Sequence, residues 1–342
     1  MKAVVIASPG DVAYRDVASP GCGDDDVLVG SRLAGVCRTD LELAVGALTD
    51  PRLVRFPCIP GHEWTGVVEE VGGNVEDLSP GDRVVCEGMI PCNRCRRCKT
   101  GRTQLCEHYD QIGFTRGGGY GELVVAPQRV VHRLPDAISP ESAVLVEPAA
   151  CVWRGLERVA PRPGESVGVI GIGTLGALTL ELARLYSPGA LVAYGLRDDE
   201  LAFAKALGAD TAVDVSAEPL QDRHAGKLDV VVETAGAVAA VELATRLVRP
   251  GGRVVLLGIA GEGKQLELPS DRIVLGDMDV VGSFSYTTSA WADVLRLLET
   301  GTVDFARLVT HRFPVEAFAD AFALLERPQG TVVKIVLEHE RH

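Results

Sequence analysis

Long apolar runs are missing from this sequence. No stretch of about 18 or more apolar residues occurs, so no membrane-spanning helix and no membrane partner are expected. An excess of positive charge is missing as well: 34 Lys and Arg stand against 47 Asp and Glu, a formal net charge of −13. Binding a phosphate backbone draws on clustered cations that release counterions, so no nucleic-acid partner is expected. The one basic cluster, Arg94 to Lys99, sits among cysteines. The first residues, Met1 to Ile6, read as a strand and lack the charged, apolar and small-residue regions of a signal peptide, which makes cytoplasmic residence the expectation. Internal repeats and low-complexity tracts are absent too.

What is present is a chain of 342 residues, longer than the ~100–200 of one domain. Short alternating runs fill its first part: Val27–Val29, Thr65–Val71, Arg83–Val85 and Glu122–Val125, divided by Gly, Pro and Asp turns. They predict an irregular, mostly β domain over residues 1–149. From Ser166 the pattern changes to strand and helix in alternation. Strands are expected at Ser166–Ile170, Ala190–Tyr194, Asp229–Glu233 and Arg253–Gly258, and helices at Leu175–Leu185, Ala202–Leu207 and Val238–Leu247. Such alternation of buried strands predicts a parallel, doubly wound sheet over residues 150–289, with a linker near Arg158 to Gly164. Residues 290–342 carry a helix at Trp291–Leu298 and a last strand at Thr331–Leu337, and are expected to return to the first domain.

Nine cysteines in a chain expected to be cytoplasmic favour metal thiolates over disulfides. Cys92, Cys95, Cys98 and Cys106 follow C-x2-C-x2-C-x7-C, which turns four soft ligands inward on one loop and suits a closed tetrahedral zinc site. Four free thiols or an iron–sulfur cluster are the competing readings. With no coordination position left open, such a zinc braces a loop and takes no part in chemistry.

Three further segments offer a thiolate, an imidazole and two carboxylates: Cys37-Arg38-Thr39-Asp40, Gly61-His62-Glu63 and Glu147-Pro148. A catalytic zinc takes about three protein ligands and keeps one exchangeable position. Read singly, Cys37 is equally a small buried hydrophobe, His62 an ordinary hydrogen-bonded histidine, and Glu63 and Glu147 solvated acids. Thr39 is equally a turn hydroxyl and Asp40 a helix N-cap, since Leu41 to Val45 has helical character. Gly171-Ile172-Gly173-Thr174-Leu175-Gly176 satisfies G-x-G-x-x-G at a strand-to-helix junction, where Gly171 permits the turn, Gly173 the approach of a pyrophosphate and Gly176 close helix packing. The second strand ends in Gly195-Leu196-Arg197, without the acid that would accept hydrogen bonds from a ribose 2′-hydroxyl. Glycine leaves room for a 2′-phosphate and a guanidinium pairs with it, although Asp198 and Asp199 compete for Arg197.

In order and context these segments resemble the medium-chain zinc-dependent alcohol dehydrogenases, closest in motif to the sorbitol, polyol and threonine dehydrogenase-like branch. The resemblance spans essentially the whole chain and implies an α/β protein, with a GroES-like mostly-β catalytic domain and a Rossmann cofactor domain. It implies that Cys37, His62 and Glu63 hold a catalytic zinc, with Glu147 a fourth ligand or one acting through water. It further implies that Thr39 relays the alcohol proton, that Asp40 orients His62, and that Arg38, Gly171, Gly173, Thr174, Leu175, Gly176, Gly195 and Arg197 contact the cofactor. The expected reaction transfers hydride between a secondary alcohol of polyol, aminocyclitol or amino-alcohol type and NADP(H), with NAD(H) possible. Two zinc ions per chain, a small alcohol or ketone substrate and a homodimer or homotetramer complete the expectation. Departures exist: Glu42 stands where several relatives carry a relay histidine, and Ser285 where the polyol branch has arginine. Trp64, Phe114, Trp153 and Phe284 are candidate pocket walls. The competing functions are a zinc-poor quinone or enoyl reductase on the same fold and a non-catalytic zinc-binding module.

Overall fold

A computed structural model describes residues 1–217, 224–261 and 263–340. The chain divides into two compact units, Met1–Glu147 with Thr287–His342, and Pro148–Tyr286.

The first unit is organised by the strand Asp26–Val36. It pairs antiparallel with three neighbours, Trp64–Val71, Leu123–Pro127 and Lys334–Glu338, which accounts for its 11 residues and its nearly continuous burial. The strands Val309–Pro314, Arg83–Cys86 and Val131–Arg133 complete a seven-stranded sheet, and Lys2–Ser8 with Asp11–Asp16 forms a separate hairpin. Register matters most at the end of the central strand, where Ala34 lies opposite Trp64, Gly35 opposite Val336 and Val36 opposite Ile335. Cys37, the next residue, therefore emerges between the turn that precedes Trp64 and the last strand of the chain. Val309–Pro314 escaped the sequence reading because its six residues are half-buried or exposed and carry little apolar signal.

Residues 287–342 return to this unit through the helix Thr288–Glu299, which extends the expected Trp291–Leu298 by a turn. Its first residue is tied at both ends: Thr288 N–H donates to Thr103 Oγ1 at 3.2 Å, and its hydroxyl lies 3.3 Å from the buried Glu87 carboxylate. Thr103 belongs to the loop between Cys98 and Cys106, so this helix is fastened to the cysteine lobe.

The second unit is a six-stranded parallel sheet. Its spatial order is Thr211–Asp214, Ala190–Gly195, Ser166–Ile170, Leu228–Glu233, Val248–Leu256, Asp279–Gly282, the doubly wound order of dinucleotide-binding sheets. The four inner strands are the expected ones. The two edge strands have only four residues each and face solvent in part, so they lack the apolar run that marks buried strands. The stretch 158–164 lies inside this unit: Ala160 at φ 40° and two prolines end the helix Val146–Val159 and turn the chain into Ser166–Ile170.

One carboxylate locks three strands of this sheet. Asp229 Oδ2 accepts from the Ser166 amide at 2.8 Å and its hydroxyl at 2.7 Å, while Oδ1 accepts from Arg249 Nε at 2.6 Å. Burial works against the charge, but the Ser166 and Arg249 donors outweigh it and hold the carboxyl at about 2. Because the folded value lies below the ordinary 3.8, this contribution is complete above that pH and lost as pH falls towards 2. Asp229→Ala should cost about 2 kcal/mol in urea unfolding at pH 7, and the gap between the two proteins should close as the melts are repeated from pH 4 downwards.

Candidate active site

The ligand atoms of Cys37, His62 and Glu63 all lie within 4.8 Å of one another. Cys37 is the N-cap of the helix Arg38–Val45, and His62 and Glu63 follow Gly61, whose φ of +95° turns the chain into the strand Trp64–Val71. His62 and Glu63 are 6% and 2% exposed, so nearly all water is excluded. The phenyl ring of Phe114 packs on the imidazole, 5.1 Å between centroids. Burial pushes the His62 proton affinity down, yet Asp40 and the Cys37 sulfur outweigh it and hold the imidazole well above its ordinary value. The space thus favours positive charge, and its thiol, imidazole and carboxylate are the donor set that zinc takes. The residues fit the metal.

Asp40 supports this group. The helix starts at Arg38, earlier than the Leu41 expected, so Asp40 sits in its first turn as the returning half of a capping box, accepting from Cys37 N–H at 2.9 Å. Its other oxygen, Oδ1, faces His62 Nδ1 at 3.6 Å, and both atoms are otherwise unpartnered. Turning Nδ1 to a carboxylate leaves Nε2 for a metal. The expected N-cap role falls to Cys37, because the helix begins three residues earlier, and Asp40 caps it from the third helical position while its second oxygen faces His62.

Glu63 has a partner that sequence reasoning missed. Lys334, 1% exposed on the last strand, forms an ion pair with Glu63 Oε2 and donates to Val36 O at 3.1 Å. Gly35 makes room for the pair, because a Cβ there would lie 2.4 Å from Glu63 Oε2 and 2.7 Å from Lys334 Cε. The signal was a lone lysine in an apolar strand, Val332-Val333-Lys334-Ile335-Val336. Tyr120, also missed, is fully buried with its phenol oxygen 2.9 Å from Asp40 Oδ2. Glu147 falls outside the three-residue group, but burial, helped by the negative charges of Glu63 and Asp40 and opposed by His62 and Lys334, raises its carboxyl to about 7. Thr39 is half-buried with its hydroxyl 3.7 Å from Cys37 Sγ, and Arg38 beside it is exposed.

Cys92, Cys95, Cys98 and Cys106 form the second group of ligand atoms within 4.8 Å of one another, and none is in a disulfide. Tetrahedral zinc with sulfur at about 2.3 Å needs sulfurs about 3.8 Å apart, a spacing this cluster accommodates. Amides already point at the sulfurs: Cys95 N–H at Cys92 Sγ, 3.4 Å, Cys98 N–H at Cys95 Sγ, 3.5 Å, and Cys92 N–H at Cys106 Sγ, 3.3 Å. Backbone donation from Arg94, then Cys95, lowers the Cys92 thiol to about 6, while burial raises the Cys98 thiol to about 12 and raises that of Cys106 as well.

In the second unit each motif glycine has its own reason. Gly171 adopts φ +90° and would strike the Ala235 backbone with a Cβ, at 2.9 Å; a Cβ on Gly176 would lie 1.9 Å from Gly171 O. Gly173, the N-cap of the helix Thr174–Ala183, has nothing within 4 Å of a built Cβ, which leaves its amide and the helix N-terminus open to an anion. Thr174 and Leu175 form the first turn of that helix. Gly195 closes the second strand, and Arg197 caps the helix Asp198–Ala206. The Arg197 guanidinium is held by Asp199, Nε to Oδ1 at 3.0 Å, and lies 3.7 Å from Glu200. Of the candidate pocket aromatics, Trp64 belongs to the core of its unit, Phe114 touches His62, Trp153 packs on Tyr186, and Phe284 is half exposed.

Among the described residues no helix is long and apolar enough to cross a membrane. Two family models match, the alcohol dehydrogenase GroES-like domain over residues 23–136 and the zinc-binding dehydrogenase over residues 174–300. The chain is 32% identical to L-threonine 3-dehydrogenase of Anaeromyxobacter sp. (strain Fw109-5), covering 99% of both. It is 30% identical to D-arabitol-phosphate dehydrogenase of Enterococcus avium, covering 99% of this chain and 97% of the other. A protein from Sinorhizobium meliloti 1021, solved bound to NADP, superposes with a TM-score of 0.91 at 32% identity over 98% of each chain. Likeness of this extent, running end to end through both units, places the chain in the zinc-dependent medium-chain alcohol dehydrogenase family of oxidoreductases.

Proposed function

We propose that the chain interconverts a secondary alcohol of polyol, aminocyclitol or amino-alcohol type and its ketone, with NADP(H) preferred over NAD(H). The observation that carries this reading is the buried convergence of Cys37, His62 and Glu63 within 4.8 Å, in a space that favours positive charge. Zinc held there would supply Lewis acidity, and a bound nicotinamide would supply the hydride acceptor or donor. Cys37, His62 and Glu63 hold the metal, and Glu147 serves as a fourth ligand or acts through water. Thr39 Oγ1 accepts the hydrogen bond of the substrate hydroxyl and, in taking its proton, passes its own on to solvent. Asp40 holds the imidazole through Nδ1, and Lys334 supplies the counter-charge to the Glu63 carboxylate. The four clustered cysteines hold a second zinc that braces their loop.

Support for NADP(H) comes from Gly195 and Arg197, and from the NADP bound by the similar Sinorhizobium meliloti protein. A 2′-phosphate would compete with Asp199 for the guanidinium through a charge-assisted, bidentate pair of the same kind. The polyol and amino-alcohol classes follow from relatives that act on threonine and arabitol phosphate. A homodimer or homotetramer is the expected assembly.

Metal analysis of the purified protein should return two zinc ions per chain. Cys37→Ala should remove one of them and abolish alcohol oxidation, whereas Cys106→Ser should remove the other and lower the melting temperature. A single zinc in the unaltered protein contradicts the two-site assignment. In kinetics with a panel of polyols and amino-alcohols, Arg197→Ala should raise KM for NADP+ about tenfold, the lower range for losing a charged hydrogen bond, with KM for NAD+ nearly constant. Equal effects on both cofactors would remove Arg197 from phosphate recognition.

A further inference from the structure

Tyr120 lies in the glycine-rich loop before the strand Leu123–Pro127 and is fully buried. Its phenol oxygen is 2.9 Å from Asp40 Oδ2 and 3.2 Å from Gly35 O. A phenol has one proton to give, and the nearer, charged acceptor receives it. Asp40 Oδ2 then accepts from two donors, Tyr120 and the Cys37 amide at 2.9 Å. With Oδ2 so engaged, Oδ1 is the oxygen left to face His62, 3.6 Å from Nδ1. The ring of the same tyrosine lies on the turn that carries His62, since a Cβ on Gly61 would meet Tyr120 Cδ1 at 2.5 Å. Tyr120 therefore touches the histidine's backbone turn with its ring and the histidine's carboxylate partner with its hydroxyl.

We propose that Tyr120 is a positioning residue for the metal: its hydroxyl fixes the plane of the Asp40 carboxylate, and through it the imidazole of His62 and the amide of Cys37. The proposal rests on the reading of Cys37, His62 and Glu63 as metal ligands. The hydrogen bonds of the Tyr120 hydroxyl run to Asp40 and Gly35 and to none of the three ligand side chains, so the effect of the hydroxyl passes through Asp40. Loss of the hydroxyl leaves the carboxylate held on one side only, free to turn Oδ1 away from His62. Replacement of a group that orients a ligating histidine weakens metal binding by about 10–100-fold; Tyr120 acts one bond farther out, at the lower end of that range.

The test is Tyr120→Phe, which removes one oxygen and keeps the ring that packs on Gly61. Zinc affinity is measured by chelator competition on the full-length protein, and the site is reloaded with cobalt to record its visible ligand-field bands. The expected result is zinc at the Cys37 site held about tenfold more weakly, shifted cobalt bands, and retained cysteine-lobe zinc. In an Asp40→Ala background, which removes the acceptor, the further change Tyr120→Phe should have no effect on affinity, which a merely structural loss of packing would not reproduce. Unaltered affinity and bands in Tyr120→Phe, or an equal loss in the Asp40→Ala background, would overturn the proposal. Failure of the unaltered protein to bind metal at Cys37 would instead overturn the metal reading on which it rests.

Discussion

The first unit is shaped by a concentration of buried negative charge at the end of one strand. Asp40, Glu63 and Glu147 are 0%, 2% and 9% exposed and stand around a cysteine and a histidine. An isolated carboxylate so removed from water costs several kcal/mol, and each of the three is treated differently. Glu63 receives the ammonium of Lys334, and Asp40 receives a backbone amide and a phenol. Glu147 responds by holding a proton up to about 7. His62 is drawn towards its charged form by the same surroundings. The charges of these buried groups therefore nearly balance, and a divalent cation bound among them would displace the protons that His62 and Glu147 hold.

Local chemistry was legible in the sequence, and long-range partnership was not. The cysteine spacing, the glycine hexapeptide and the Gly-His-Glu triplet each complete their geometry within a few residues, so residue type and interval are enough to describe them. Lys334 and Val36 are hydrogen-bonded across 298 positions, and Tyr120 and Asp40 across 80. No local pattern reports such pairs; only strand register brings them together. The same holds for the edge strands and for Val309–Pro314, whose pairing follows from the sheet and not from an apolar run. At Asp40 the sequence offered a helix N-cap as one alternative, but the helix begins at Arg38 with Cys37 as its N-cap, and Asp40 returns a capping-box hydrogen bond with one oxygen while the other faces His62. At Arg197 the competition foreseen from Asp198 and Asp199 is resolved towards Asp199.

The strand register also ties the metal site to the last segment of the chain. Glu63 lies in a turn between residues of the N-terminal part, yet its counter-charge arrives from Lys334–Glu338, which adds to the central strand Asp26–Val36. Until that strand docks, Glu63 has no cation, and burying it against Gly35 would leave an unpaired carboxylate in an apolar sheet. The absence of a Cβ at Gly35 serves this pair and would leave a void without it. The C-terminal strand and the Gly-His-Glu turn therefore depend on each other for charge balance in the folded state, and the helix Thr288–Glu299 is fastened to the cysteine lobe through Thr103 and to Glu87. A structural zinc in that lobe would stabilise the surface that receives the returning helix. Two metal sites separated in the sequence would then be coupled through the folding of the same segment.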